Sequence, residues 1–430
     1  MPPLAAADVP AVVRRALAAQ PVVDLHTHLY PPTFGTPVAN RTGTADPAGL
    51  MLWGVDELVT YHYLVAEVFR VVPATKLPYE QFWAMTKAEQ ADHIWTHLFV
   101  ERTPISEACR GVVTTLSKLG LDPGVKHLDA LRPWFREQDP NEYIDKVMSL
   151  ANVSSITMTN AVFDDNERNR WLAGIAPDPR FTGVLRFDSL LLDIGATCRK
   201  LKDWGYDVTR GYSAQTVAEV RRFLNDWCDR VNAIYCAVSL PPEFKYPDGG
   251  WCSSMLKECV LPVCEQRNIP FAMMIGSRRA VNPALRDAAD MGGLADVQSV
   301  CRLCQEFPRN RFFVTMLARE NQHELAVAAR KFGNLMPFGC WWFLNNPSLI
   351  AEMTRMRVEL LGTTVIPQHS DARVLDQLIY KWDHSRKVIG DVLTDKYADL
   401  IAAGWPLTTE EVERDAKQFL AGNVLTHLRG

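Results

Sequence analysis

Residues 22–29 read Val-Val-Asp-Leu-His-Thr-His-Leu, a short apolar run of β-branched residues that ends in a His-x-His pair. Alternate side chains of an extended strand point to the same face, so His26 and His28 are expected to project together. Two imidazoles on one face at the end of a buried strand supply half of a metal site. The alternative is a chance pair of half-buried histidines, and the rest of the chain decides between the two.

The composition is that of an ordinary globular protein. The chain has 430 residues, of which 47% are hydrophobic and 22% are charged. A net charge of −4 gives no reason to expect nucleic acid or an anionic membrane as a partner. No run approaches the roughly 20 apolar residues of a membrane helix, and the first 20 residues lack the apolar core of a signal peptide. We therefore expect a cytoplasmic protein without a disulfide framework, since its ten cysteines are scattered.

Strand-like and helix-like runs alternate through most of the chain. Including the first, eight strands are predicted, the others being residues 154–159, 182–187, 233–240, 270–276, 312–317, 336–342 and 363–369. Several are continuously apolar, as in sheets covered by helices on both faces. Eight strands alternating with helices predict an α/β fold of the (β/α)8 TIM-barrel type. A doubly wound open sheet is the alternative, but no glycine-rich phosphate turn follows the first strand.

Two regions depart from this alternation. Residues 55–150 show helical periodicity without a convincing strand, which predicts a helical insertion after strand one. The tail over 381–428 is predicted to be helical, with breaks at Gly390, Gly404 and Pro406. We therefore expect residues 1–430 to form a single barrel domain that carries this insertion.

Functional side chains of such barrels stand at the carboxyl ends of the strands. The eighth predicted strand runs into Asp371, which would lie beside the first strand once the barrel closes, so Asp371 becomes a third candidate ligand for the metal bound by His26 and His28. The alternative is that Asp371 caps a helix. Predicted strands five and six contain no histidine and strand four no lysine, so the sequence favours a single ion.

Cationic and aromatic residues supply candidates for substrate binding. Arg186 ends the third strand, and with Arg373 it could form a fork for a carboxylate, although an ion pair of Arg186 with Asp188 would also explain it. His62 and Tyr63 lie in the insertion, about 100° apart on a helix, so both could reach one cavity. Aromatic core packing is the alternative for that pair.

These pieces resemble the uronate isomerase (glucuronate isomerase) family of the amidohydrolase superfamily, over nearly the whole chain. The resemblance rests on the motifs already described and on the Phe-Gly-Cys-Trp-Trp-Phe run at 338–343; Asp371-Ala372-Arg373 is similar to the family's Asp-Ser-Arg. The chain departs from the family pattern where Met274 replaces a histidine on strand five, and where Lys, Trp and Arg are missing after Tyr63. It is therefore identified as a divergent member.

The resemblance implies a divalent-metal enzyme, expected to hold zinc, that interconverts glucuronate with fructuronate or galacturonate with tagaturonate. It implies that His26, His28 and Asp371 bind the metal, and that the sugar acid is contacted by Arg186, Arg373, His62, Tyr63 and Trp341. Such an isomerase needs a base and a group that stabilises an oxyanion. The metal or an arginine could stabilise the oxyanion. The base could be Asp371, the pair of His62 and Tyr63, or a metal-bound hydroxide.

Other functions fit the same residues. A mononuclear metal hydrolase or decarboxylase could act on another carboxylate-bearing substrate, and a barrel without catalysis could only bind a sugar acid. Retention of both His-x-His and Asp-x-Arg argues against pure binding, since a binding protein needs no metal triad. A homo-oligomer is expected by analogy with the family.

Overall fold

The computed structural model describes residues 3–38, 45–175 and 178–430. Nine β-strands lie in these residues: β1 Val22–Thr27, β2 Val153–Ala161, β3 Phe181–Arg186, β4 Ala233–Leu240, β5 Phe271–Ile275, β6 Ser277–Arg278, β7 Met291–Gly292, β8 Phe312–Met316 and β9 Leu335–Pro337. Seven of them form one parallel sheet in the order β1-β2-β3-β4-β5-β8-β9, and β6 pairs with β7 as a short antiparallel ribbon.

The faces of the large sheet pack into two separate apolar clusters. On β5, Ala272 and Met274 join the smaller cluster, whereas Phe271, Met273 and Ile275 pack in the larger one beneath the helices. The smaller cluster gathers one face of strands from both ends of the sheet, its members including Leu25, Val184, Tyr235, Ala237, Phe313, Phe338 and Ile366. Distant strands can share a cluster in this way because the sheet curls around it.

Residues 365–372 lie between the last strand and the first. The Gly339 amide donates to the Ile366 carbonyl at 2.8 Å on one side, and the Asp371 amide donates to the His26 carbonyl at 3.0 Å on the other. The prediction of a regular eighth strand over 363–369 is wrong, because this segment makes only a single-residue bridge, from Ile366 to Phe338. Pro367 has no amide hydrogen for a strand ladder, and Asp371 has a left-handed φ of 49°. The α/β class and the parallel sheet are confirmed.

Helices precede β1 and fill the region between β1 and β2. The first is α1 Val9–Ala19; the others are α2 Val55–Val59, α3 His62–Val71, α4 Tyr79–Ala84, α5 Lys87–Trp95, α6 Glu107–Lys118, α7 Arg132–Arg136 and α8 Pro140–Ala151. Local sequence explains several starts: Thr86 and Glu89 form a reciprocal capping box at α5, and the Asp139 side chain caps α8 ahead of Pro140.

Further helices follow the later strands and form the tail. They are α9 Asp165–Leu172, α10 Asp188–Leu192, α11 Ile194–Asp203, α12 Ala214–Val231, α13 Trp251–Met255, α14 Leu261–Gln266, α15 Val297–Glu306, α16 Gln322–Ala329, α17 Pro347–Leu361, α18 Gln377–Ala402, α19 Thr409–Lys417 and α20 Asn423–Arg429. Among the described residues, no helix combines the length and the apolar character needed to cross a membrane.

The predicted break at Gly390 is wrong, whereas Gly404 and Pro406 do lie in the turn between α18 and α19. Helix α18 runs through Gly390 without interruption. A Cβ atom at Gly390 would lie 3.2 Å from Leu17 of α1, so the glycine allows these two helices to pack closely.

A buried carboxylate connects the helices of residues 55–151 to the start of α18. Asp376 accepts hydrogen bonds from the Gly54 amide at 2.9 Å and from the Tyr143 hydroxyl at 2.5 Å. Because an unpaired buried carboxylate is costly, these bonds join the residue before α2, and helix α8, to the start of α18.

Candidate active site

A cavity opens at the carboxyl-terminal edge of the curled sheet. Residues from five strand ends and from α3 meet there. Its lining consists of His26, His28, Tyr61, His62, Arg186, Ser239, Met274, Arg279, Trp341, Trp342, Asp371 and Arg373. Seven of the eight residues predicted from the sequence therefore face one cavity, and the eighth, Tyr63, does not line it.

His26, His28 and Asp371 form the cluster of possible metal ligands. Both Nε2 atoms lie 3.5 Å from Asp371 Oδ1, and the ligand atoms of all three residues lie within 4.8 Å of one another. Two atoms bound to one zinc ion at about 2.1 Å and a tetrahedral angle would lie about 3.4 Å apart. The observed distances exceed an ordinary hydrogen bond and suit a shared ion.

A β-bulge directs His26 into this cluster. Asp24 pairs with Ile156 and Thr27 pairs with Met158. Between these two pairs β1 advances by three residues and β2 by only two. The extra residue in β1 changes the alternation of its side chains, and bulges of this kind often redirect a side chain next to an active site. His26 and Leu25 consequently both contact the interior of the sheet.

The hydrogen bonds around His26 leave its Nε2 atom free. The Thr159 hydroxyl donates to the Thr27 carbonyl at 2.8 Å, so the contact of 3.3 Å between Thr159 Oγ1 and His26 Nδ1 places the ring proton on Nδ1. Nε2 is then an unprotonated, buried nitrogen that has no partner among the described residues. A metal ligand needs this tautomer, and an unused buried acceptor is otherwise costly, so the residues fit a bound ion.

The protonation states of the cluster also fit a cation. Burial would raise the pKa of Asp371, but the His26 and His28 imidazoles hold it well below its usual value. Burial lowers the pKa of His28 to about 3 despite the neighbouring carboxylate. A neutral imidazole and an ionised carboxylate are the forms that bind metal.

The backbone that presents Asp371 is held by two side-chain donors. The carbonyl of the preceding residue, Ser370, accepts hydrogen bonds from Lys381 Nζ at 2.6 Å and from Asn345 Nδ2 at 3.2 Å. These bonds fix the peptide that leads into the left-handed conformation of Asp371. Lys381 is buried and does not line the cavity, so it contacts the backbone beside Asp371 without facing the substrate space.

We expect Lys381→Met to weaken metal binding about 10- to 100-fold, because the Ser370–Asp371 peptide loses its strongest donor. Competition with a chromogenic chelator measures this affinity directly. Lys387→Met, at an exposed position on the same helix, is the matched control and should bind metal as the wild type does. Equal affinities in all three proteins would contradict this role of Lys381.

Gly339 lies against the buried ring of His369, behind the metal cluster. A Cβ atom at Gly339 would lie 1.9 Å from His369 Cδ2, and Gly339 has a φ of +64°. The His369 ring in turn contacts the His26 ring, with their centroids 5.2 Å apart. A glycine is therefore required here for both conformation and space.

We expect Gly339→Ala to lower the free energy of unfolding by about 3–5 kcal/mol, from the left-handed φ and from overpacking against His369. Gly120→Ala is the matched control, since Gly120 has a φ of +77° but no atom within 4 Å of its added Cβ. The control should lose only about 1–2 kcal/mol. Urea denaturation compares the two, and equal losses would show that the contact with His369 has no energetic role.

Three arginines face the cavity in different states of pairing. Arg186 forms an ion pair with Asp188 at 2.6 Å and donates to Ser239 Oγ at 3.0 Å, so the ion pair that the sequence offered as one explanation is present. Arg279 is paired with Asp290. Arg373 is exposed at the cavity mouth and has no carboxylate partner among the described residues. One unpaired guanidinium suits a substrate that carries one carboxylate.

The segment between β1 and β2 contributes His62 and Tyr61 to the cavity. Burial and the Arg373 charge lower the pKa of His62 to about 3. The Tyr63 hydroxyl is buried without a hydrogen-bond partner among the described residues, and burial raises its pKa well above the usual value. Neighbouring residues of a helix point about 100° apart, which explains why His62 reaches the cavity wall and Tyr63 does not.

Sequence reasoning missed five lining residues. Ser239, Met274, Arg279 and Trp342 lie in or shortly after strand-like runs, and Tyr61 precedes the predicted His62. Two consecutive arginines at 278–279, directly after strand five, were a usable signal. Whether each of these residues faces the cavity depends on loop conformation, which the periodicity of the sequence does not indicate.

No protein-family model and no curated protein matches the chain. Among solved structures, a uronate isomerase from Bacillus halodurans C-125 is 51% identical, with a TM-score of 0.93, and the match covers 99% of this chain and 97% of that one.

Two more distant structures share the fold. A uronate isomerase from Thermotoga maritima is 12% identical with a TM-score of 0.76, over 98% of this chain and 97% of that one. A glucuronate isomerase from Caulobacter crescentus is 14% identical with a TM-score of 0.71, over 99% and 94% of the two chains.

Proposed function

Because the chain belongs to the uronate isomerase family, we propose that it interconverts an aldohexuronate and the corresponding ketohexuronate. Glucuronate with fructuronate and galacturonate with tagaturonate are the two candidate pairs. The observation that carries the proposal is the placing of Arg373, an unpaired guanidinium, in the same cavity as the His26, His28 and Asp371 cluster. That cavity offers one unpaired guanidinium to bind the substrate carboxylate. It also offers one group of metal ligands for the end of the sugar that reacts.

We further propose that residues 1–430 form a single amidohydrolase-like (β/α)8 barrel. Residues 363–369 would take the place of the eighth strand, and residues 55–150 would be an insertion after the first. The backbone hydrogen bonds that join residues 365–372 to β1 and β9 support this proposal.

The proposed metal is one divalent ion held by His26, His28 and Asp371. Two neutral imidazoles and one carboxylate suit zinc, which commonly takes three protein ligands in catalytic sites. When bound, the ion would stabilise negative charge on a substrate oxygen. The free Nε2 of His26 and the 3.5 Å spacings are what support an ion at this place.

The proposed substrate contacts follow from charge and shape. Arg373 would bind the carboxylate at the cavity mouth, and Arg186, held by Asp188, would contact the carboxylate or a hydroxyl farther in. Trp341 would pack against the carbon chain of the sugar. These contacts orient the aldehyde end toward the metal cluster.

The proposed reaction moves one proton between neighbouring carbons through a cis-enediol. A base removes the proton from C2, a proton is delivered to C1, and the hydroxyl proton of O2 is exchanged for one on O1, so no oxidant or reductant is required. Asp371 Oδ1 faces both imidazoles, which leaves Oδ2 as the carboxylate oxygen able to hold a proton. His62, which lines the cavity, is the other candidate group. The Tyr63 hydroxyl is buried outside the cavity lining, so the sequence-based pairing of Tyr63 with His62 is not carried into the proposed reaction.

The test is to incubate zinc-loaded protein with glucuronate and with galacturonate and to follow the products by ¹³C NMR. We expect a ketone carbon at C2 from at least one of them, and none from glucose, which lacks the carboxylate. No conversion of either hexuronate would overturn the isomerase proposal. Release of carbon dioxide, or hydrolysis of another carboxylate-bearing substrate, would favour the hydrolase or decarboxylase alternative.

A further inference from the structure

A hydrogen bond between the loop after β9 and helix α3 determines the tautomer of His62. Trp342 Nε1 lies 3.0 Å from His62 Nε2. An indole N–H can only donate, so Nε2 of His62 must accept and the ring proton of the neutral imidazole must lie on Nδ1. Burial keeps His62 neutral, since its pKa falls to about 3.

Trp342 makes this bond from an unfavourable backbone conformation. Its φ is 51°, in the left-handed region that a bulky residue rarely adopts. Its ring stacks on Phe343, with centroids 4.8 Å apart and an interplanar angle of 13°. The loop therefore holds the indole in a defined orientation against His62, although Trp342 and His62 are 280 residues apart in sequence.

The other nitrogen of His62 is left for a ligand. His62 lines the same cavity as the metal cluster and Arg373. Nδ1 has no hydrogen-bond partner among the described residues and is not among the fully buried polar atoms. A protonated Nδ1 in this place can donate a hydrogen bond, but it has no lone pair with which to take a proton from carbon.

We propose that Trp342 is a positioning residue that fixes His62 as the Nδ1–H tautomer, so that His62 donates a hydrogen bond to a substrate oxygen and does not serve as the base. The identity of that substrate rests on the proposed hexuronate isomerase function. The tautomer itself does not, because it follows from the Trp342 bond alone. His62 is thereby removed from the candidates for the base, and of the other side chains considered for that role Asp371 lines the cavity.

The tautomer is measured by NMR on protein labelled with ¹⁵N-histidine, with the His62 signals assigned by their loss in His62→Asn. We expect a protonated Nδ1 and an unprotonated, hydrogen-bonded Nε2 in the wild type. Trp342→Phe keeps the aromatic ring and removes the donor, so His62 should shift toward the Nε2–H form. An Nε2–H signal in the wild type would overturn the proposal.

Kinetics of two His62 variants give a test that does not depend on Trp342. Asparagine places an amide N–H near the position of Nδ1–H, so His62→Asn should lose at most about tenfold in kcat/KM, whereas His62→Ala should lose about 100-fold. Equal losses in both variants would indicate a base and overturn the proposal. If the predicted tautomer is observed but no hexuronate is converted by the wild type, the proposed function fails and the tautomer stands.

Discussion

Replacing His26 by alanine is expected to abolish stoichiometric metal binding and to lower kcat/KM for the hexuronate by at least about 1,000-fold. Only two ligands would remain, and His26 is the ligand whose Nε2 lacks any other partner among the described residues. Removing a group that merely supports a ligand costs about 10- to 100-fold, so losing a ligand itself should cost more.

The measurement is metal content by mass spectrometry together with steady-state kinetics on the same preparation. His323→Ala is the matched control, because His323 is exposed on α16. The control should retain both metal and activity. A His26→Ala protein that keeps one tightly bound ion and full activity would contradict the assignment of His26.

Replacing Arg373 by methionine is expected to raise the KM for the hexuronate about 100- to 1,000-fold, or about 3–4 kcal/mol, with a smaller effect on kcat. The substrate carboxylate is at C6 and the reacting carbons are C1 and C2, so Arg373 would bind ground state and transition state alike. Losing binding energy that is equal in the ground state and the transition state raises KM and leaves kcat nearly unchanged. Methionine keeps part of the aliphatic stem and removes the charge.

Initial rates over a range of hexuronate concentrations separate KM from kcat. Arg15→Met is the control, since Arg15 is exposed on α1 and lines none of the cavity. Any slow turnover of the uncharged aldohexose should be the same with and without Arg373. An unchanged KM in Arg373→Met would show that another group, such as Arg186 or Arg279, binds the carboxylate.

The short motif at 22–29 predicted more of this molecule than its length suggests. His26, His28 and Asp371 do lie together, because the two ends of a curled sheet become neighbours when the sheet closes. The bulge in β1 that redirects His26 was not predictable, since no residue type marks it. The sequence therefore identified the three residues that lie together and not the backbone irregularities that direct their side chains.

Loop conformation accounts for the other differences. Residues 365–372 do lie between β9 and β1, but they do not form the predicted eighth strand, because Pro367 cannot donate a hydrogen bond and Asp371 adopts a left-handed φ. Helical periodicity placed His62 in a helix but could not show that Trp342, from a distant loop, would set its tautomer.

The most direct test of the account is a titration of the metal-free protein with zinc while glucuronate and galacturonate isomerisation is followed. We predict that activity rises linearly and stops at one equivalent of zinc per chain, since His26, His28 and Asp371 hold one ion. Activity that is unchanged by complete removal of metal, or that continues to rise to two equivalents, would contradict it.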